Sequence, residues 1–144
     1  MGMIDVSDKS VIKREAEASG KIVLSKGTME KIKDGSVRKG DPLVVAEIAA
    51  MNAAKQTSLL IPHCHQIALD YVKVEFNLKD TSMLEVRCFV GARARTGVEM
   101  EALVAVSIAL TVIYDMCKAV DSSMILEDIR LISKEKKDIK NPEV

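Results

Sequence analysis

Both histidines of this chain flank one cysteine, in the stretch SLLIPHCHQIALD. A histidine gains and loses protons near neutral pH, so His63 or His65 can act as a general acid, a general base or a donor to phosphate. A zinc site is a second interpretation, but zinc needs about four ligands. The other cysteines, Cys88 and Cys117, stand in no paired-ligand motif. A third interpretation is a surface histidine beside a buried Cys64, and the triplet alone does not separate the three.

Ionisable residues also open and close the longest apolar segment, residues 96–120. Asp115 and Lys118 are three residues apart, so a helix places them on one face, where they form at least an ion pair. Glu101 stands fourteen residues before Asp115, which corresponds to about 21 Å along a helix. One small molecule cannot easily contact both carboxylates in a single chain. Either they are unrelated, or a site forms where the helix start of one subunit meets the helix end of another.

The same segment carries two structural signals. Thr96 and Glu99 form a T-x-x-E capping box, which predicts where the helix starts. Nearly every position from Ala102 to Tyr114 is apolar. A helix of this composition is expected to be buried on every face, and such burial in a small domain favours an oligomer.

Lys39, Gly40 and Asp41 form a loop motif before a predicted helix. Solvated turn chemistry explains the motif by default, and a lysine that binds phosphate or acts as a base is the functional alternative. Asp41 and Pro42 are expected to be the N-cap and the first position of that helix. Arg14, in a polar N-terminal arm, could bind phosphate if the arm folds over a site.

Composition limits the class of protein. Hydrophobic residues make up 48% of the 144 residues, which is enough for one domain with a core. Lysine and arginine total 21, as do aspartate and glutamate, and aromatic residues are 3%, which argues against a nucleic-acid partner. The sequence suggests neither a signal peptide nor a membrane span. Three cysteines without a C-x-x-C pair suit a reducing cytoplasm.

Short-range patterns predict the elements that must position these residues. Alternating apolar and polar residues indicate strands, and apolar residues at helical spacing indicate helices. A polar arm, residues 1–19, and a charged mobile tail, residues 135–144, are expected to flank them. The first helix is expected to have Thr28 as its N-cap and to end at Gly35. The predicted strands are 20–26, 68–79, 83–92 and 123–134, and the predicted helices are 28–35, 43–57 and 96–120.

The order of these elements predicts a ferredoxin-like βαββαβ sandwich. This is an α+β fold with an antiparallel sheet and helices packed on one face. Residues 20–134 are expected to form it as a single catalytic domain. Because such folds carry many unrelated activities, the activity must be argued from the site.

Four longer motifs resemble a known family. They are IDVSDKSVIKREAEASG, KGDPLVVAEIAAMNAAKQT, LIPHCHQI and RTGVEMEALVAVSIALTVIYDMCKAVD. In unbroken order over roughly residues 4–134, they resemble the molybdenum cofactor biosynthesis protein C family, the cyclic pyranopterin monophosphate synthases. The combination of TGVEMEAL with YDMCKAVD at this spacing is very specific.

The resemblance implies a homo-oligomer, a hexamer built as a trimer of dimers, with active sites at subunit interfaces. It implies a phosphorus–oxygen lyase that rearranges a cyclised dihydro-GTP to cyclic pyranopterin monophosphate with loss of pyrophosphate. The radical enzyme of the preceding step is the implied functional partner. The family uses no redox cofactor of its own and no protein-bound metal, although a divalent cation with the triphosphate is left open.

Residue by residue, the resemblance assigns roles to positions in this chain. The implied catalytic residues are Lys39, Lys118 and, as general acid or base, Asp115. The implied substrate-binding residues are Arg14, Lys55, His63, Cys64, His65, Glu99, Met100, Glu101 and Lys134. The residue types suit the chemistry, because ring opening and closure need several proton transfers and the departing pyrophosphate needs cations.

The chain departs from the family at three places. His63 stands where an apolar residue is usual, and Gln66 stands where proline is usual. The segment SKEKKDIKNP replaces a glycine-rich lysine segment after the last strand, although Lys134 still aligns. Two alternatives therefore stay open: a non-catalytic oligomeric homologue that binds a pterin or nucleotide, and a pterin- or nucleotide-processing hydrolase.

Overall fold

The computed structural model describes residues 1–139, which form a four-stranded sheet and four helices. The strands are β1 (Ile12–Val23), β2 (Tyr71–Leu78), β3 (Met83–Ala94) and β4 (Ile125–Lys137). The helices are α1 (Lys26–Asp34), α2 (Pro42–Lys55), the short α3 (Thr57–Leu60) and α4 (Glu99–Cys117).

The strand order in the sheet is β2-β3-β1-β4, and each neighbouring pair is antiparallel. β2 and β3 form the predicted hairpin. Its polar turn is fixed by Asp80, whose carboxylate accepts the N–H of Ser82 at 2.7 Å. The two helical connections each cross over one strand, so the predicted ferredoxin-like α+β sandwich is confirmed.

The core lies between the sheet and α4, with α2 packed beside α4. β3 directs alternate side chains into it, among them the fully buried Val86, Cys88 and Val90. α2 contributes the fully buried Ala46 and Ala50. The distance between two packed helices depends on the side chains at their contact, so these alanines bring α2 close to α4.

Gly20 lets α4 lie directly on β1. A Cβ atom at this position would lie 2.8 Å from side-chain atoms of Val106 and Leu110 and 3.0 Å from Ile129. Because glycine has no side chain, the helix fills that space instead. The position of α4 over the sheet therefore depends on the lack of a side chain at Gly20 of the central strand β1.

The structure corrects the predicted N-terminal arm. β1 begins at Ile12, so residues 12–19 are strand and only residues 1–11 precede it. The inward side chains here are short, as at Ala16 and Ala18, while the outward ones are mostly charged. The alternation therefore lacks the large apolar residues by which a strand is usually detected.

The predicted mobile tail is also corrected. β4 continues to Lys137 and pairs with β1 over its whole charged end. Lys137 Nζ lies 3.7 Å from Glu15 Oε2 across this pair, and such cross-strand charges favour a strand that has no apolar alternation. Residues 140–144 of the predicted tail lie outside the described residues.

Two predicted helix caps are wrong. Ser25, and not Thr28, caps α1, because the Ser25 hydroxyl accepts the N–H of Thr28 at 3.2 Å. The N-cap of α4 is Val98, without a side-chain hydrogen bond, so the predicted capping box does not form. Glu99 turns to Lys134 instead, with Oε1 3.0 Å from Nζ.

The prediction that α4 is buried on every face is wrong for a single chain. Thr111 and Asp115 are exposed, and Val104 and Ile108 are half-buried. These positions share one side of the helix. By length and composition α4 could cross a membrane, but its packing against the sheet and α2 is typical of a core helix.

We expect Gly20→Ala to lower the free energy of unfolding by about 1–3 kcal/mol, because the added methyl group must displace α4 or force its side chains off their rotamers. Gly27→Ala is the matched control, since its Cβ meets nothing within 4 Å and alanine favours a helix by about 0.5–1 kcal/mol. Urea unfolding measures both. A Gly20→Ala protein as stable as the wild type would contradict the direct contact of α4 with β1.

Candidate active site

The three predicted catalytic residues meet at the C-terminal end of α4. This Asp115 cluster consists of Lys39, Asp115 and Lys118. Lys39 Nζ lies 2.8 Å from Asp115 Oδ2 and 3.1 Å from the main-chain oxygen of Asp115. Lys118 Nζ lies 2.9 Å from Asp115 Oδ1. Each carboxylate oxygen therefore has its own ammonium group.

A tight loop between α1 and α2 brings Lys39 to this carboxylate. Gly35 ends α1 in the left-handed conformation, as predicted, with a φ of 74°. Gly40 has a φ of 113°, a conformation that other residues rarely adopt. Asp41 then caps α2, as predicted, by accepting the N–H of Leu43 at 2.9 Å. The chain reverses within these few residues and directs Lys39 towards α4.

The two lysines keep Asp115 ionised. The hydrogen bonds from Lys39 and then Lys118 lower the pKa of Asp115 to about 2. The hydrogen bond to Asp115 raises the pKa of Lys118 in return. All three side chains are about half exposed, so the cluster contributes little to stability. At neutral pH Asp115 is ionised, and the ammonium groups can bind an anion.

A cavity of about 370 Å³ opens beside this cluster. Lys31, Arg38 and Lys39 contribute positive charge to its wall, and Met116 and Val120 contribute apolar surface. The Lys39 cavity therefore suits an anionic molecule that also has an apolar part.

The predicted substrate-binding triplet lies at the other end of α4. His63, Cys64 and His65 line a cavity of about 350 Å³ together with Met100 and Glu101. The fold thus joins two motifs that are far apart in the chain. We call this space the His65 cavity.

The N-terminal segment orients the ring of His65. His65 Nε2 lies 2.7 Å from the main-chain oxygen of Ile4. A carbonyl oxygen only accepts hydrogen bonds, so Nε2 carries the hydrogen, and Nδ1 of the neutral ring is left for a ligand. No sequence pattern predicts this contact, because a main-chain acceptor is not marked by any residue type.

Two groups in the His65 cavity are shifted towards their neutral forms. Burial raises the pKa of Glu101, which is 4% exposed, and the charge of Glu99 adds to the effect. Burial also raises the pKa of the Cys64 thiol, with Glu101 and Glu99 contributing further. Burial therefore favours the protonated form of Glu101 more than it would at an exposed position. The thiol form of Cys64 does not suit a nucleophile or a zinc ligand.

A third cavity, of about 390 Å³, adjoins the His65 cavity and is rich in lysine and arginine. Arg14 and Lys134 line it, and Lys134 also contacts Glu99. Lys9 and Lys136 line it as well, and Lys9 borders the His65 cavity too. These two lysines were not among the predicted site residues, because they lie in charged stretches that resemble any solvated surface.

Some predicted residues are not brought to a cavity. Lys55 is exposed at the end of α2 and lines none of the three cavities, so its implied role stays a prediction. Cys88 is buried on β3 and Cys117 at the end of α4. Within residues 1–139, no group of three or more histidine, cysteine, aspartate or glutamate side chains is arranged to hold a metal ion.

The length of α4 separates the two sets of residues. The helix runs unbroken from Glu99 to Cys117, which places Glu101 and Asp115 about 21 Å apart by helical rise. A small molecule bound to one chain contacts only one of the two carboxylates. Each end of α4 therefore carries one half of the predicted site.

These features define a class of protein: an α+β enzyme of ferredoxin-like fold. Proton-transfer groups and cations lie at both ends of its core helix. The chain belongs to the MoaC family, whose sequence profile matches residues 3–137.

Curated relatives from three bacteria agree with this assignment, and each is named cyclic pyranopterin monophosphate synthase. The chain is 50% identical over 133 residues to the protein of Chloroflexus aurantiacus, covering 92% of this chain and 82% of the relative. It is 47% identical over 132 residues to that of Desulfitobacterium hafniense, covering 92% and 81%. It is 47% identical over 133 residues to that of Heliobacterium modesticaldum, covering 92% and 84%.

We expect Lys39→Ala to raise the pKa of Asp115 from about 2 towards the ordinary value of 3.8, because the carboxylate loses one of its two ammonium partners. Lys31→Ala is the control, since Lys31 lines the same cavity without a hydrogen bond to Asp115. Carbon-13 NMR titration of labelled aspartate measures the shift. The ion pairs of Asp115 with Lys39 and Lys118 are fully present above pH 3.8 and are lost as the pH falls through the folded-state pKa of about 2. An unchanged pKa of Asp115 in Lys39→Ala would contradict the Lys39–Asp115 contact.

Proposed function

We propose that this chain is a cyclic pyranopterin monophosphate synthase, which converts a cyclised dihydro-GTP to cyclic pyranopterin monophosphate and releases pyrophosphate. The observation that carries the proposal is the convergence of Lys39 and Lys118 on Asp115, at 2.8 and 2.9 Å. These three residues lie in two of the motifs, KGD and YDMCK, on which the resemblance rests.

The two halves of the site supply complementary proton-transfer groups. Asp115 is ionised and can act as the base, whereas burial shifts Glu101 towards the protonated form. Carboxyl groups whose environments move their pKa values apart are suited to acid and base roles in one reaction. His65, with its Nδ1 left for a ligand, provides a further group for proton transfer in the conversion of the purine ring to a pterin.

The cationic cavity supports the second part of the reaction. Closure of the cyclic phosphate expels pyrophosphate, and nearby cations stabilise the charge that develops on it. Arg14 and Lys134 line that cavity beside the His65 cavity. No redox cofactor is proposed, and a divalent cation with the triphosphate is compatible with this role.

We propose that the working form is a homo-oligomer, a hexamer built as a trimer of dimers, in which α4 pairs antiparallel with its counterpart. This arrangement brings Glu101 of one subunit near Asp115 of the next and yields two equivalent sites for each dimer. Exposed apolar side chains support association: Val44, Val45 and Ile48 on α2 and Ile129 on β4 are each at least 40% exposed. We further propose a cytoplasmic location, with the radical enzyme of the preceding step as functional partner.

The activity is tested by incubating the protein with the cyclised dihydro-GTP and detecting both the pyranopterin and pyrophosphate. We expect Lys39→Ala and Lys118→Ala each to lower turnover by roughly two to four orders of magnitude, because proton transfer and charge stabilisation each contribute factors of this size. Lys33→Ala, on the exposed side of α1, is the control and should retain activity.

The competing function, a non-catalytic homologue, predicts a different result. That protein would bind the substrate and release neither product. A lysine variant that stays folded and keeps near-normal turnover would remove that lysine from the catalytic set.

The shared site is tested by complementation. Glu101→Ala and Asp115→Ala proteins should each be inactive, and mixing them under conditions of subunit exchange should restore part of the activity. A mixed dimer regains one intact pair of residues, because the two changes fall in the same one of its two sites. If mass spectrometry confirms exchange and no activity returns, Glu101 and Asp115 do not act in one site.

A further inference from the structure

Asp121 is a buried carboxylate that the proposed reaction does not use. It follows α4 in the turn before β4, and its side chain is 6% exposed. Its main-chain N–H donates to the carbonyl of Cys117 at 3.2 Å, so the residue is attached to the last turn of α4. Within residues 1–139 it has no ion-pair partner. A buried charge without a counter-ion requires an explanation.

The two carboxylate oxygens of Asp121 accept hydrogen bonds from the start of α1 and from the turn that contains Asp121. Oδ2 accepts the main-chain N–H of Ser25 at 2.8 Å and the hydroxyl of Thr28 at 2.9 Å, both at the start of α1. Oδ1 accepts the N–H and the hydroxyl of Ser123, at 2.9 and 2.7 Å, before β4. Asp121 therefore ties the start of α1, through its side chain, to the end of α4, through its main-chain N–H.

Hydrogen bonds keep the Asp121 carboxylate charged. Burial by itself raises the pKa of Asp121, but the bonds from Ser25, Ser123 and Thr28 outweigh it and hold the pKa well below its usual range. The N-terminus of α1 adds a favourable dipole for the negative charge. Asp121 is therefore a carboxylate throughout the pH range in which enzymes work.

The hydrogen bonds of Asp121 affect the Asp115 cluster because α1 leads directly into the loop that carries Lys39. α1 also packs through the buried Met29 and Ile32, but apolar contacts do not fix direction in the way that hydrogen bonds do. Lys39 itself is exposed, and its contact at the end of α4 is with Asp115. α2, which begins just after Lys39, fixes the other end of this loop against α4. The position of the Lys39 ammonium thus depends on how both α1 and α2 are set against α4.

We propose that Asp121 is a positioning residue of the active site: its carboxylate sets the start of α1 against the end of α4 and so holds Lys39 on Asp115. It acts through Lys39 and touches no substrate. Its importance for catalysis rests on the proposed function, whereas its effect on the Asp115 cluster does not.

The pKa of Asp115 provides a readout that a merely structural role would not change. We expect Asp121→Ala to raise it by at least half of the rise that Lys39→Ala causes, since the released loop no longer holds Lys39 in place. Removal of the negative charge of Asp121 would by itself lower the pKa of Asp115. A rise therefore reports the displaced lysine and not the lost charge.

A matched pair of variants separates the two sides of the tie. Thr28→Val removes the hydroxyl that donates to Asp121 and that also lies 2.8 Å from the Ser25 hydroxyl. It keeps the side-chain shape, and it should raise the pKa of Asp115 in a folded protein. Ser123→Ala removes one bond on the β4 side and should leave that pKa unchanged. If Asp121→Ala does not fold, this pair decides the question. Equal values in Thr28→Val and Ser123→Ala, or an unchanged value in a folded Asp121→Ala, overturn the proposal.

Measurements of kcat then test whether the positioning role of Asp121 matters for catalysis. Asp121→Ala should lower kcat roughly ten- to hundredfold, a size expected for a misplaced catalytic group, and should add little to the loss in a Lys39→Ala background. A full additional loss in that background contradicts action through Lys39. If the pKa of Asp115 rises as expected but the wild-type protein forms no pyranopterin, the positioning role stands and the proposed function fails.

Discussion

The contact of α4 with β1 is the interaction on which the rest of the structure depends. Gly20 removes the side chain that would separate them, and α4 fills the space with Val106 and Leu110. Every other element is placed relative to this contact: α2 lies beside the helix, and the outer strands β2 and β4 extend the sheet on either side. Because a packed helix is rigid, the contact also fixes the distance between the ionisable groups at its ends.

Two opposite electrostatic environments follow from that geometry. The C-terminal end of α4 reaches water, where two lysines hold Asp115 ionised. The N-terminal end enters the core, where burial shifts Glu101 and Cys64 towards their neutral forms. A reaction with several proton transfers needs both conditions.

The distribution of charge matters more than its sum. The chain has 21 basic and 21 acidic side chains and no net charge. Pairing of β1 with β4 nevertheless gathers Arg14, Lys134 and Lys136 on one cavity beside the start of α4. A balanced composition therefore excludes a broad basic surface without excluding a local site for phosphate.

The sequence by itself determined the fold class, the hairpin, the cap of α2 at Asp41 and the family, because these depend on local patterns and on motif order. The predicted ends of β1 and β4 were wrong, because the inward residues at these ends are short or charged. Only pairing with the neighbouring strand stabilises them as strands. The same motifs predicted the site residues. Only the tertiary structure decided which of them lie at the start of α4 and which lie at its end. It placed Lys39 on Asp115 across 76 positions of chain, put the main-chain oxygen of Ile4 against His65, and fixed α1 through Asp121. Such contacts between distant or main-chain groups are set by packing, which leaves no local pattern in the sequence.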